Sequence, residues 1–144
     1  MLAALPSPAA QAGSADNVRT AKRVFLELMA QGRLARPEET YAPDYIAHAA
    51  SFNYTLERDT ASTRSWHEAM PDLQVTVERT VADRELVAVH WRAVGTNTVA
   101  AGGMPGKGAR LGIEGMTFFR FSAGRIAEAW SVVDIATLRR QLGE

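Results

Sequence analysis

The segment from Gly115 to Asp134 constrains this chain more than any other: Gly-Met-Thr-Phe-Phe-Arg-Phe-Ser-Ala-Gly-Arg-Ile-Ala-Glu-Ala-Trp-Ser-Val-Val-Asp. Two strand-length apolar runs flank Gly124, which predicts a hairpin turn between them. A lone carboxylate, Asp134, stands at the far end of the second run. Upstream, Glu85 to Val99 places Val87, Val89 and Trp91 on one face and Leu86, Ala88 and His90 on the other. Leu73 to Val81 alternates in the same way and is joined to it by a tight Ala82-Asp83-Arg84 connection. An antiparallel sheet normally wets one face, yet the strands between Leu86 and Val133 are apolar on both. One face must then cover helices and a cavity. The other is expected to bury against a second copy, making a homodimer through the outer sheet face.

Helices come first along the chain. Val18, Ala21, Phe25, Leu28 and Met29 recur at three- and four-residue spacing and predict a helix over Asn17 to Gln31, capped by Ser14 or Asp16 and closed by Gly32. Pro37 to Tyr41 suits a short helix with proline in its first turn. Tyr41 to His48 is expected to be irregular, because Pro43 restricts the residue before it. Thr60 to Met70 predicts a further helix, ended by Pro71-Asp72. Ala100 to Gly108 holds four glycines and a proline and is read as a loop. It is not a phosphate loop: Lys107 is followed by Gly108 and Ala109 rather than Ser or Thr, and the segment joins two strands. Ile135 to Leu142 adds a short terminal helix. Helices followed by an antiparallel meander define an α+β domain, with the helices packed on one face of a curved sheet.

Composition narrows the functional classes. The 144 residues suit one domain with one core. Sixteen basic and 16 acidic side chains cancel, and no basic run occurs, which argues against nucleic-acid binding. The absence of cysteine excludes a disulfide scaffold, a thiolate nucleophile and a Cys-type zinc site. No apolar run is long enough to span a bilayer, so no membrane partner is expected. Three scattered histidines without acids at ligand spacing predict no metal site. Residues 1–16 are Ala-, Pro- and Ser-rich and are read as a disordered tail before a domain over 17–144, in a cytoplasmic protein. Alternatively, Leu2-Ala3-Ala4-Leu5 and Ala10-Gln11-Ala12 are the end of a truncated export signal lacking its charged start, in an exported one.

Several segments in order carry a family resemblance: Tyr41-Ala-Pro-Asp-Tyr45-Ile-Ala-His48, Met70-Pro71-Asp72-Leu73, Val87-Ala-Val-His-Trp91, Gly95-Thr96, Gly115 with Phe119-Arg120, Gly124-Arg-Ile-Ala-Glu128-Ala-Trp130, Asp134, and Gln141-Leu142-Gly143. Over about Val18 to Gly143 the chain resembles the SnoaL-like polyketide cyclases of the NTF2-like superfamily. The resemblance implies a cone-shaped α+β fold around a deep apolar pocket. It also implies cofactor-independent intramolecular aldol ring closure of a polyketide by an acidic acid/base residue, at the position of Asp134. Many relatives read Gly-Thr-His where this chain has Gly95-Thr96-Asn97, so an imidazole expected near the pocket mouth is missing.

The candidate catalytic residues are Asp134 and His48. By strand parity Ile126, Glu128, Trp130, Val132 and Asp134 share a face, so Asp134 lines the pocket if Trp130 and Val132 do. Apolar surroundings would raise its pKa and make it a general base near neutral pH. The plainer reading is a solvated acid capping the helix at Ile135. His48, in the irregular segment, could pair with Asp134, polarise a substrate carbonyl or pin the loop. The candidate substrate-binding residues are Tyr45, Trp66, His90, Met116, Phe118, Arg120 and Trp130, with Trp91 and Phe119 as further wall residues. The partner expected in the pocket is a small apolar or aromatic substrate. Two other functions fit the same pattern: an epoxide hydrolase, which would draw on Asp134 and Arg120, and a non-catalytic ligand-binding cup.

Overall fold

The computed structural model describes residues 8–144. Helix α1 (Pro8–Arg23) continues into a π-helical segment, Val24–Met29. It therefore starts inside the segment read as a tail; the Leu2–Leu5 part of the export-signal reading lies outside the described residues. The wider π turn sets Val24, Phe25, Leu28 and Met29 all toward the core. Helix α2 (Pro37–Thr40) and strand β1 (Tyr41–His48) follow. A two-residue strand β2 (Asn53–Tyr54) leads to helix α3 (Leu56–Ala69), whose first turn is capped by the Thr55 hydroxyl accepting from Arg58 N at 3.4 Å. Next come β3 (Gln74–Asp83), β4 (Leu86–Asn97), a small hairpin of β5 (Ala100–Ala101) and β6 (Met104–Pro105), β7 (Ala109–Ser122), β8 (Arg125–Val133) and helix α4 (Ile135–Leu142).

The main sheet runs β2-β1-β8-β7-β4-β3, an open sheet with helices on one side. The α+β class is as expected, with one correction. Tyr41 to His48 is a strand rather than irregular, and it pairs with β8 in parallel, so the sheet is mixed. The register breaks between Tyr41 and Ile46, where Pro43 has no N–H to give to a neighbour. The loop over 100–108 carries its own hairpin, tied down by Asn97. That side chain is fully buried; its amide donates to Ala69 O at 3.1 Å and Val99 O at 2.8 Å and accepts from Gly106 N at 2.8 Å. Asn97 thus meets two carbonyls and an N–H, a set an imidazole with two ring nitrogens could not satisfy.

Strand parity sorts the sheet into two faces. Val87, Val89, Trp91 and Ala93 of β4, with Leu111, Ile113, Thr117, Phe119 and Phe121 of β7, are buried under the helices. Trp91 lies flat over Gly115, its cross-strand neighbour. A Cβ at Gly115 would stand 2.4 Å from the indole, so only glycine allows this packing. The outer face carries His90, Met116, Phe118 and Arg120. On β8 a bulge decides the sorting. Phe121 pairs with Ile126 but Arg120 pairs with Glu128, which leaves Ala127 as the extra residue. Ile126 is therefore inside, while Glu128, Trp130 and Val132 lie outside.

Candidate active site

A cavity of about 250 Å³ lies between the helices and the concave face of the sheet. Its helical wall comprises Val24, Phe25 and Met29, and Asp59, Ser62, Thr63 and Trp66 of α3. These α3 residues fall at helical spacing, so one stripe carries all four. The sheet wall comprises Trp91, Thr117, Phe119, Ala129 and Ser131, with Val133 and Ile135 completing the lining. Phe25 stacks on Trp91 with ring centres 5.6 Å apart.

Asp59 is the one ionisable side chain on this wall among the described residues. Its carboxylate accepts a 2.5 Å hydrogen bond from the Tyr45 hydroxyl, at Oδ2. Burial pushes its pKa above the usual carboxylate value, and the Tyr45 hydrogen bond only partly opposes this. Tyr45 is pushed strongly up, first by burial and then by the Asp59 charge, so it remains a protonated donor. Tyr41 packs edge-on against Tyr45 at 4.9 Å and fixes its ring. Across the cavity, Trp91 Nε1 donates to Thr117 Oγ1 at 3.2 Å, and Thr117 Oγ1 lies 2.9 Å from Ser131 Oγ.

Of the residues singled out from the sequence, Trp66, Trp91 and Phe119 line this cavity, and Tyr45 holds its acid from behind. The others lie elsewhere. Asp134 caps α4, accepting from Thr137 N at 3.0 Å and Thr137 Oγ1 at 2.6 Å. These bonds hold its pKa below the usual value, the reverse of the expected rise. It borders a shallow groove on the outer face, lined also by Glu114, Met116 and Val132. His48 does not meet Asp134. Its Nε2 lies 2.9 Å from Glu128 Oε1, and its ring stacks on Trp130 at 4.7 Å. Arg120 Nε donates to the other Glu128 oxygen, so His48 and Arg120 converge on one outer-face carboxylate. Its pKa is lowered by Arg120 first and His48 second. His90 pairs with Glu114 on the same face. Met116, Phe118 and Trp130 are exposed there, and Phe118 meets Trp130 edge-on at 6.3 Å. Five expected wall residues (His90, Met116, Phe118, Arg120 and Trp130) are thus outside the cavity, because the face lining it has the opposite parity.

From the sequence Asp59, like Asp44 and Asp72, reads as a loop or cap residue rather than a pocket acid, and Thr117 and Ser131 do not stand out at all. Asp59 lay ahead of the helix start set at Thr60. With Thr55 as cap, the spacing Asp59, Ser62, Thr63, Trp66 marks one polar-aromatic stripe. Thr117 and Ser131 had a weaker signal: small hydroxyl residues on strand positions between buried apolar ones.

The sequence model of the SnoaL-like polyketide cyclase family matches residues 19–142. The chain belongs to this family. Among curated proteins none matches it. Solved structures with the same NTF2-like α+β fold include AclR of Streptomyces galilaeus, a candidate hydroxylase, with TM-score 0.79 and 20% identity over 90% of this chain and 97% of that one. A candidate SnoaL-like polyketide cyclase from Jannaschia sp. CCS1 matches with TM-score 0.78 and 21% identity over 97% of both chains. IdmH of Streptomyces antibioticus, a candidate polyketide cyclase, matches with TM-score 0.74 and 25% identity over 89% of this chain and 99% of that one. No helix among the described residues is long and apolar enough to cross a membrane.

Proposed function

We propose that this chain is a cofactor-independent acid/base enzyme that closes a ring by intramolecular aldol addition, acting on an apolar substrate that carries carbonyl groups. The observation that carries this reading is Asp59, a carboxylate walled by aromatic and aliphatic side chains, with a raised pKa and a fixed orientation. Such a group can act as general base near neutral pH. Tyr45 occupies Oδ2, which leaves Oδ1 to take the proton. That proton comes from a carbon next to a carbonyl, and the C–H electron pair becomes an enolate. The enolate carbon attacks a second carbonyl of the same molecule and forms the C–C bond. The resulting alkoxide takes the proton back from Asp59, so no co-reactant is consumed. The likeness to IdmH supports the same reaction class.

Cavity size limits the substrate. An apolar cavity of roughly 150 Å³ holds benzene, and drug-sized ligands occupy roughly 300–1,000 Å³. At about 250 Å³ this one suits one or two rings. An epoxide hydrolase would need an arginine and a second acid beside the first. Arg120 and Asp134, which offered part of that set, point away from the cavity.

A suitable probe is an aryl δ-diketone, a phenyl ketone joined through three methylenes to a methyl ketone, whose closure gives a six-membered ring. NMR would follow its consumption. Asp59→Asn is expected to abolish closure while leaving the circular dichroism unchanged; wild-type turnover in that variant overturns the reading.

The same reading includes a homodimer. Met116 pairs across strands with Val132 and Phe118 with Trp130, which makes one apolar patch on the outer face. Met116 is 63% and Val132 75% exposed, and a second copy would cover them. Sedimentation at micromolar concentration is expected to show a dimer; a monomer removes this part.

A further inference from the structure

The sheet wall of the cavity carries a second polar device, and the direction of its hydrogen bonds can be worked out. Trp91 Nε1 is a donor only. Thr117 Oγ1 therefore accepts from Trp91 at 3.2 Å. The contact of 2.9 Å between Thr117 Oγ1 and Ser131 Oγ can run either way on distance alone. Burial decides between the two. Thr117 is only 5% exposed. If Ser131 donated to it, the Thr117 proton would be left without an acceptor in a buried position, which is costly. If Thr117 donates to Ser131, both Trp91 and Thr117 are satisfied. The one proton left over is that of Ser131, whose side chain lines the cavity and is exposed.

We infer that the Ser131 hydroxyl, polarised by the chain Trp91 to Thr117 to Ser131, is the sheet wall's hydrogen-bond donor to a substrate carbonyl oxygen and to the enolate or alkoxide that oxygen becomes. This rests on the cavity being the reaction site proposed above. It adds a division of labour: Asp59 on the helical wall moves the proton, and Ser131 on the sheet wall holds the oxygen where negative charge develops. Ser131 is the group that touches the substrate. Thr117 and Trp91 are positioning residues, acting through it. The chemistry selects ligands with an oxygen acceptor on an apolar body of one or two rings, and it disfavours hydrocarbons of the same shape. A hydrocarbon would leave the Ser131 proton unpaired once water is displaced.

The test uses the full chain and two probes of nearly equal shape, acetophenone and α-methylstyrene, which differ by an oxygen in place of a methylene. Quenching of tryptophan fluorescence reports binding, since Trp66 and Trp91 line the cavity. The infrared stretch of the bound ketone reports the hydrogen bond itself. Wild-type protein is expected to bind the ketone at least tenfold more tightly than the alkene and to lower its carbonyl stretch. Ser131→Ala should erase both the preference and the shift, and Ser131→Thr should restore them. Thr117→Val should weaken the shift, whereas Thr117→Ser should keep it. Asp59→Asn should retain the ketone preference even though it loses turnover. The inference is overturned if Ser131→Ala keeps the preference and the shift, if Asp59→Asn alone removes them, or if neither probe binds at millimolar concentration. An Asp59→Asn variant with full turnover alongside a Ser131-dependent shift would overturn the proton-transfer role and leave the oxygen site standing.

Discussion

The two faces of the β4–β7–β8 sheet are built from adjacent residues of the same strands, and both are rich in aromatic side chains. They differ in what happens to charge. On the outer face every acid has a partner or solvent: Glu128 is held by Arg120 and His48, and Glu114 by His90. At the end of β8, Asp134 is held by Thr137. The Glu128 and Asp134 pKa values are accordingly lowered. Facing the inner side, Asp59 has, among the described residues, only the Tyr45 hydroxyl as side-chain partner, and its pKa is raised. Apolar surface alone does not make a reactive acid. What counts is whether the apolar surroundings also bury the carboxylate and set no cation beside it, and at Asp59 the concave side does both.

Substitutions of the two acids test this contrast most severely. Asp59→Asn should lower the rate of diketone closure by about 10²–10⁴-fold, the usual span for removing a general base. Asp134→Asn should leave that rate within about twofold of wild type, since a small surface change leaves the cavity intact. The opposite ranking, measured by NMR under identical conditions, would move the chemistry to the outer face and end the comparison.

Packing offers a second way in. Gly115→Ala would force the Trp91 indole off the strand, and overpacking of this kind costs about 1–3 kcal/mol. A lowered midpoint in urea should accompany reduced ketone binding, because Trp91 forms both core and cavity wall. Unchanged stability would mean that the indole does not lie over Gly115. Charging the other face is expected to act differently. Val132→Lys should shift the sedimentation profile toward monomer with ketone binding intact, which would separate the outer patch from the site.

Titration gives the smallest effects, with opposite signs for the two acids. Asp59 has a folded pKa above its unfolded one, so the native state holds more protons in that interval. Stability then falls as pH rises from the ordinary carboxylate value through the raised one. Asp59→Asn removes this cost and should raise the melting temperature at neutral pH. Asp134 has a lowered folded pKa. Its contribution is present above the ordinary carboxylate value and is lost as pH falls through the lowered one. Asp134→Asn should therefore melt earlier than wild type at neutral pH, with the gap closing in strong acid. Melting curves across pH that show the same sign for both acids would contradict the assignment of their surroundings.

Much of the fold was legible in the chain. Period-two alternation in β4 and β7, the Gly124 turn and the helical spacing before Gly32 each depend on neighbours close in sequence, so local rules reach them. Tyr41 to His48 escaped because its pairing partner, β8, lies far along the chain, and Pro43 masked the strand signal. Trp66, Trp91 and Phe119 were recognised as wall residues on size and polarity. Trp130 and Phe118 had the same credentials and face outward.

The sequence by itself determined the family, the α+β order of elements and the presence of sheet strands apolar on both sides. The family follows from the order and spacing of the chain's motifs and the other two from its periodicity, all of them properties of the chain alone. Only the tertiary structure decided which side encloses the cavity and which acid belongs to it. A single bulge at Ala127 sets the parity of β8, and the Thr55 cap brings Asp59 into α3 on the stripe that meets Tyr45. A carboxylate's reactivity depends on desolvation by residues distant in sequence, and that is a quantity no local pattern carries.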